Sequence, residues 1–273
     1  MIKNVLAKVV LYSFLVGLCG IMIMPFVWIV SLSFRDTYSP SVVFSHFFPR
    51  NPTLNNYIKG FVDEKFLIWF LNSVFVTGVA TVFCLFFDTL AGYAFAKLEM
   101  PGKEILFIFL LASLMIPFSI LMIPLFVTFK FLGLINTRIA MAIPPFAYIF
   151  GVFLMREYIK PIPRDLLDSA RIDGCGDWGV FFRIILPICK PALATLSVFT
   201  FILTWNSFVW PLVIISDVAK MPITIGMATF STRLRAWGMI STLAVVGTLP
   251  PVVFFLALQK YYIKAIVLSG MKG

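Results

Sequence analysis

Charge is scarce in this sequence, histidine nearly absent and cysteine unpaired, and each shortage closes off a class of function. Only 12% of the 273 residues are Asp, Glu, Lys or Arg, while 61% are hydrophobic. Soluble domains run to roughly a quarter charged and half apolar, so this chain belongs in a bilayer. Cys19, Cys84, Cys175 and Cys189 show no C-x-x-C spacing, and the single histidine, His46, has no ligand partner near it. Neither a disulfide framework nor a metal site is expected. The one Gly-Lys pair, Gly102-Lys103, has Lys97 where a phosphate-binding loop needs its first Gly and Glu104 where it needs Ser or Thr. The chain therefore holds no nucleotide site. No catalytic cluster of His, Asp, Glu, Ser or Lys lies in or beside the apolar runs, which argues against a membrane-embedded enzyme. Lys and Arg outnumber Asp and Glu by 22 to 12, but they are spread over every loop instead of forming a basic face, so nucleic acid is not an expected partner.

What the sequence has in abundance is long uncharged stretches, and a helix needs about 20 such residues to cross some 30 Å of hydrocarbon. Six qualify: Val9 to Leu32, Phe66 to Phe87, Ile105 to Phe129, Ile139 to Met155, Pro191 to Ser216 and Ala236 to Gln259. The fourth, with 17 residues, is the shortest tolerable span. The fold class expected is an all-α integral membrane protein of six transmembrane helices. The N-terminal run continues past signal-peptide length without an A-x-A site, and reads as an uncleaved first helix. Of the two sets of alternating loops, the one containing the termini carries 13 Lys and Arg and the other 9. This bias places both termini on the cytoplasmic side. Residues 1–65 form a first helix and outer loop, and residues 66–273 a core of five helices.

The longest loop on the inner side, residues 156–190, contains two short helices. Pro163 suits the opening of the first, and Gly174 suits its left-handed end. Leu166 and Leu167 anchor one side, whereas Ser169, Ala170 and Gly174 offer a side of little bulk. The second begins near Asp177, an N-cap type, and runs to Pro187. Pattern alone leaves open whether the first helix merely rests on lipid as an interfacial connector.

In wording, Asp168-Ser169-Ala170, Gly174 and Ile184-Ile185-Leu186-Pro187 resemble the EAA loop of ABC importer permeases. Asp165-Leu166, Asp173-Gly174, Trp178, Phe181 or Phe182, and Leu186-Pro187 match its sugar-permease variant. Asp for Glu at 165 and 168, Ser for Ala at 169, and Cys175 for Ala depart from it while keeping charge and size. The resemblance continues in Leu54-Asn55-Asn56-Tyr57, Asn72-Ser73, the Ala91 to Lys97 run followed by Pro101-Gly102, Trp205-Asn206 through Leu212, and the ending Ser269 to Gly273. It is closest to the second permease of maltose-type carbohydrate uptake systems.

That resemblance implies a transport subunit without catalysis of its own, in a bacterial inner membrane, forming half of a pathway for a mono- or oligosaccharide. A second permease, two copies of an ABC ATPase that binds ATP and Mg, and an extracytoplasmic solute-binding protein are the partners it implies. Asp165, Leu166, Asp168, Ser169, Ala170, Asp173 and Gly174 are then the residues of a cytoplasmic coupling helix between the fourth and fifth spans, docked on the ATPase. The segments Arg35 to Lys65 and Lys220 to Arg235 are candidate contacts for the binding protein.

Polar groups inside spans are costly and face cavities or neighbouring helices. Thr200, Thr204 and Ser207 recur at i, i+4 and i+7 beside Trp205, Asn206 and Trp210. An amide among aromatic faces suits a sugar, so Thr204, Trp205, Asn206, Ser207 and Trp210 are substrate-path candidates, with helix packing and interfacial anchoring as the alternative. Related permeases also carry polyols or glycerol phosphate; a phosphate would call for Arg or Lys, and no span holds one, which favours a neutral sugar over a phosphate. Asp88 is the sole acid embedded in a span; it either pairs with the partner permease or is hydrated near the inner surface. An ion-driven secondary transporter needs embedded ionisable pairs and repeated halves, and the sequence offers neither.

Overall fold

The computed structural model describes residues 2–35, 46–62, 64–234 and 237–270, and among them every regular element is helical. The ending 271–273, residues 36–45 and 63 of the segment Arg35 to Lys65, residue 235 of the segment Lys220 to Arg235 and residue 236 at the start of the expected sixth span lie outside the described residues. Three unbroken helices are long and apolar enough to cross a membrane: α1 (Ile2–Ser33), α3 (Phe66–Lys97) and α13 (Trp237–Gly270). Between α1 and α3 lies the short α2 (Asn55–Val62).

The third apolar run is not one rod. It divides into α4 (Lys103–Ala112) and α5 (Phe118–Phe131), bent by 100°. Ile116, pushed out of helical space by the proline after it, is extended at φ −84°, ψ 113°, and Pro117 follows at ψ 135°. The fourth run divides further, into α6 (Arg138–Ala142), a 3₁₀ turn at Pro144–Phe146 and α7 (Ile149–Ile159). Pro144 and Pro145 cannot donate to the ladder, and Ala147 leaves helical space at φ −122°, ψ 83°.

The first loop helix is α8 (Arg164–Ile172), and α9 (Asp177–Ile188) then meets α10 (Lys190–Trp205) at 79°. Inside α9 the Leu186 N–H reaches back five residues to the Phe181 carbonyl, a π turn placed just before Pro187, which has no N–H. The expected fifth span, Pro191 to Ser216, ends as a helix at Trp205, and α11 (Val209–Ile214) and α12 (Ile223–Leu234) follow it.

The described chain separates into two compact units, residues 1–67 with 226–249, and residues 68–225 with 250–273. In the first, Leu54-Asn55-Asn56-Tyr57 ties off the end of α1. Asn56 donates through Nδ2 to the carbonyls of Ser33 and Arg35 at 2.9 and 2.7 Å, and the Tyr57 and Ser33 hydroxyls lie 2.8 Å apart. These are the orphan carbonyls that every helix end must place somewhere. In the second unit, one apolar cluster gathers Met155, Ile159, Leu167, Phe181, Ile185 and Leu196, and another gathers Val76, Phe129, Met141, Trp210 and Ile214.

Candidate functional site

A cavity of about 400 Å³ lies within the second unit. Four of the five expected path residues, Thr204, Trp205, Ser207 and Trp210, line it; Asn206 does not, and is exposed outside the lining. The two tryptophans are walls more than free platforms. Trp205 is 3% exposed and stacks on Phe201 with centroids 5.7 Å apart, while Trp210 is 4% exposed and donates its indole N–H to Ala140 O at 3.0 Å. The sequence reading missed Thr77 on α3, and Phe118 and Tyr148 at the two helix breaks, which also line it. Hydropathy could not reveal them, because the packing of α3 brings Thr77 to Thr204, and Phe118 and Tyr148 stand at breaks whose direction it does not give.

The outer wall rests on backbone clamps. Trp69, Asn72 and Ser73 share one face of α3 at i, i+3 and i+4. Trp69 Nε1 donates to Val218 O at 2.8 Å, Asn72 Nδ2 to the carbonyls of Ala219 and Met221 at 2.9 Å each, and Ser73 Oγ accepts the Ile223 N–H at 2.8 Å. From the opposite side Asn136, in the left-handed region at φ 61°, accepts the N–H groups of Ser216 and Asp217 on Oδ1 at 3.3 and 3.0 Å. The Asn72-Ser73 pair thus fixes an irregular strand of chain whose backbone has no ladder of its own.

Behind Tyr148 and Thr200, Asp88 is fully buried. Its Oδ1 accepts the Tyr148 N–H at 3.1 Å, and its Oδ2 the Cys84 thiol at 3.0 Å; Cys84 Sγ lies 3.2 Å from the Thr200 hydroxyl. Tyr148 is the N-cap of α7 and its side chain caps nothing, so α3 supplies from outside an acceptor for an N–H that a helix start leaves unpaired. Gly151, in the first turn of α7, makes room: an added Cβ would sit 2.0 Å from Oδ2. Both expected readings of Asp88, a tie to a partner permease and hydration at the inner surface, are corrected by this packing. The carboxylate faces its own chain and is closed off from both.

At the loop, α8 follows a Pro163 with φ −59° and ψ 137°, one position before the first helical residue, and Gly174 takes φ +87°. The second loop helix has Gly176 as its cap and Asp177 as its first residue, so it starts one residue earlier than Asp177 as a cap would set it. Leu167 and Ala170 are buried, whereas Asp165, Leu166, Asp168, Ser169, Asp173 and Gly174 are exposed. Ala170 is therefore not part of an open small-residue side: its i, i+3 relation to Leu167 turns both into the first cluster. Lys97 holds the approach to α8 through Nζ bonds to the carbonyls of Lys160, at 2.9 Å, and Ile162. Arg164 pairs with Glu99 at 3.1 Å, and Arg171 with Asp168 at 3.4 Å and Asp177 at 3.1 Å. The hydrogen bond to Asp177 raises the Arg171 guanidinium further above its ordinary pKa, so it stays charged. At the foot of α7, Arg156 is 7% exposed, grips Glu104 of α4 with bonds of 2.8 and 2.7 Å, and lies 4.0 Å from the centroid of the Phe107 ring. Among the described residues no group of His, Cys, Asp and Glu is placed to hold a metal ion.

Residues 88–267 match the family described as binding-protein-dependent transport system inner membrane component. The arabinooligosaccharides transport system permease protein AraQ of Halalkalibacterium halodurans is 37% identical over 229 residues, covering 83% of this chain and 82% of that one. The lactose transport system permease protein LacG of Rhizobium radiobacter is 30% identical over 270 residues, 97% of each. A chain in the crystal structure of a bacterial ABC transporter for import of the acidic polysaccharide alginate superposes with a TM-score of 0.82 at 22% identity, over 95% of this chain and 98% of that one.

Proposed function

Because the chain belongs to the family of binding-protein-dependent transport system inner membrane components, we propose that it is the permease subunit of an ATP-driven importer and forms half of the pathway for a carbohydrate. The similarity to permeases named for arabinooligosaccharides and lactose supports the cargo class. In this reading the chain crosses an inner membrane six times with both termini in the cytoplasm. It works with a second permease, two ABC ATPase subunits that bind ATP and Mg, and an extracytoplasmic binding protein.

The observation that carries the coupling role is the division of α8 into two faces. Leu167 and Ala170 fasten it to the chain, and Asp165, Leu166, Asp168 and Ser169 are left outward. An acidic and apolar ridge on a rigid, internally anchored helix is suited to a groove on a separate protein. Only contacts that differ between the two states of that protein can bias the gate.

A photo-reactive phenylalanine at Leu166 tests this. In cells that make the whole complex it is expected to give a cross-linked product of this chain with the ATPase, and the same group at buried Leu167 is not. Cross-links to lipid alone from Leu166 would return α8 to an interfacial connector.

A further inference from the structure

The cavity is closed to charge on every side that the second unit presents. Its lining includes five hydroxyl-bearing residues outside its aromatic groups, Ser73, Thr77, Thr200, Thr204 and Ser207, and no Asp, Glu, Lys, Arg or His. The carboxylate behind the wall, Asp88, lies one contact beyond Tyr148. Several cations of this unit are committed elsewhere: Arg156 to Glu104, Lys97 to the turn before α8, Arg164 to Glu99 and Arg171 to two aspartates.

We infer that this cavity is a subsite for an uncharged saccharide and that it rejects uronates. The inference rests on the importer reading and adds to it the class of sugar and the place where this subunit meets it. A neutral sugar unit offers hydroxyls for Thr204 and Ser207, the two hydroxyl residues of the lining that are not buried, and C–H faces for the aromatic walls Phe118, Tyr148 and Trp205. A cavity of about 400 Å³ is at the small end of ligand pockets and admits a short saccharide end. A carboxylate in the same place meets no cation, and an unpaired charge taken out of water is paid for in full. Sites that do take carboxylates use the bidentate fork of Arg or a Lys point charge, and the lining has neither.

The test uses the whole complex in nanodiscs, with Thr204→Cys placed in a chain carrying Cys19→Ser and Cys175→Ser. Labelling by uncharged N-ethylmaleimide is timed without nucleotide, in the presence of arabinotriose, lactose, maltotriose or trigalacturonate. The same four sugars are first run in transport assays on the complex with unaltered Thr204. A transported neutral sugar is expected to slow labelling about three-fold at twice its dissociation constant, as two-thirds occupancy requires, and trigalacturonate to leave the rate unchanged. Equal protection by trigalacturonate overturns the neutral assignment. Transport of a neutral sugar with no protection of the thiol introduced at position 204 overturns the subsite while leaving the importer reading in place. A complex that transports none of the four overturns the importer reading, and the inference with it.

Discussion

Replacing Asp88 by leucine removes the carboxylate that accepts the Tyr148 N–H at 3.1 Å and the Cys84 thiol at 3.0 Å. An amide left buried without an acceptor costs about 1–3 kcal/mol, and the thiol, a weak donor, adds little. For a chain of roughly this size each kcal/mol lowers the midpoint of thermal unfolding by about 2–4 °C. The expected fall is thus about 2–12 °C, measured as loss of the monodisperse peak when the purified chain is heated in detergent. Asp88→Asn keeps an oxygen for the Tyr148 N–H, so it should melt close to the parent. Gly151 provides an internal control. An alanine there puts a Cβ 2.0 Å from Oδ2, so Gly151→Ala is destabilising in the parent but less so beside Asp88→Ala, where the obstructing oxygens are gone. Such neighbours are expected to be strongly non-additive. An Asp88→Leu chain that melts with the parent, or additive effects at 88 and 151, would refute the intramolecular tie. Loss of assembly with the second permease by Asp88→Asn, at unchanged chain stability, would restore the pairing that the packing excludes.

Three further outcomes follow from the same geometry. Gly174 sits at φ +87° with no atom near its missing Cβ, so the cost of substitution lies in the backbone. Gly174→Val should therefore uncouple transport from ATP hydrolysis more severely than Gly174→Asn, which tolerates the left-handed region, and equal effects in a vesicle assay would deny this. Asn72→Ala strands the carbonyls of Ala219 and Met221, at about 1–3 kcal/mol in all, and should speed proteolysis between 215 and 223; an unchanged digestion pattern would count against the clamp. Glu104→Gln weakens the bidentate grip on Arg156. Since Glu104 is 65% exposed while Arg156 is enclosed, about 1–2 kcal/mol is expected in melting experiments, and no loss would show the pair to be idle.

The parts legible in the sequence were those that depend on local chemistry. Uncharged length marked α1, α3 and α13, and Pro163 and Gly174 bracketed α8 to within a residue. Pro117, Pro144 and Pro145 mark in the sequence where the third and fourth runs are interrupted, but hydropathy carries no direction, so whether each is a mild kink or a full break, and the 100° between α4 and α5, was not legible. The cavity was half legible for the same reason. Thr204, Trp205, Ser207 and Trp210 lie close along one stretch of chain, whereas Thr77 joins them by the packing of α3 and Tyr148 at the break before α7. Ala170 read as an open small residue because composition does not say which face of a helix is covered. Asp88 stood out as an embedded acid, but its acceptor role involves a backbone amide 60 positions away, and a backbone partner leaves no mark in residue types.

The most direct test of the central claim is ATP hydrolysis by the complex reconstituted in nanodiscs with its binding protein, measured with and without a neutral oligosaccharide. Sugar-stimulated hydrolysis that disappears when Asp168 and Asp165 on the outward face of α8 are both reversed to lysine is the result the account predicts. A chain that purifies alone and moves sugar with no ATPase present would contradict it.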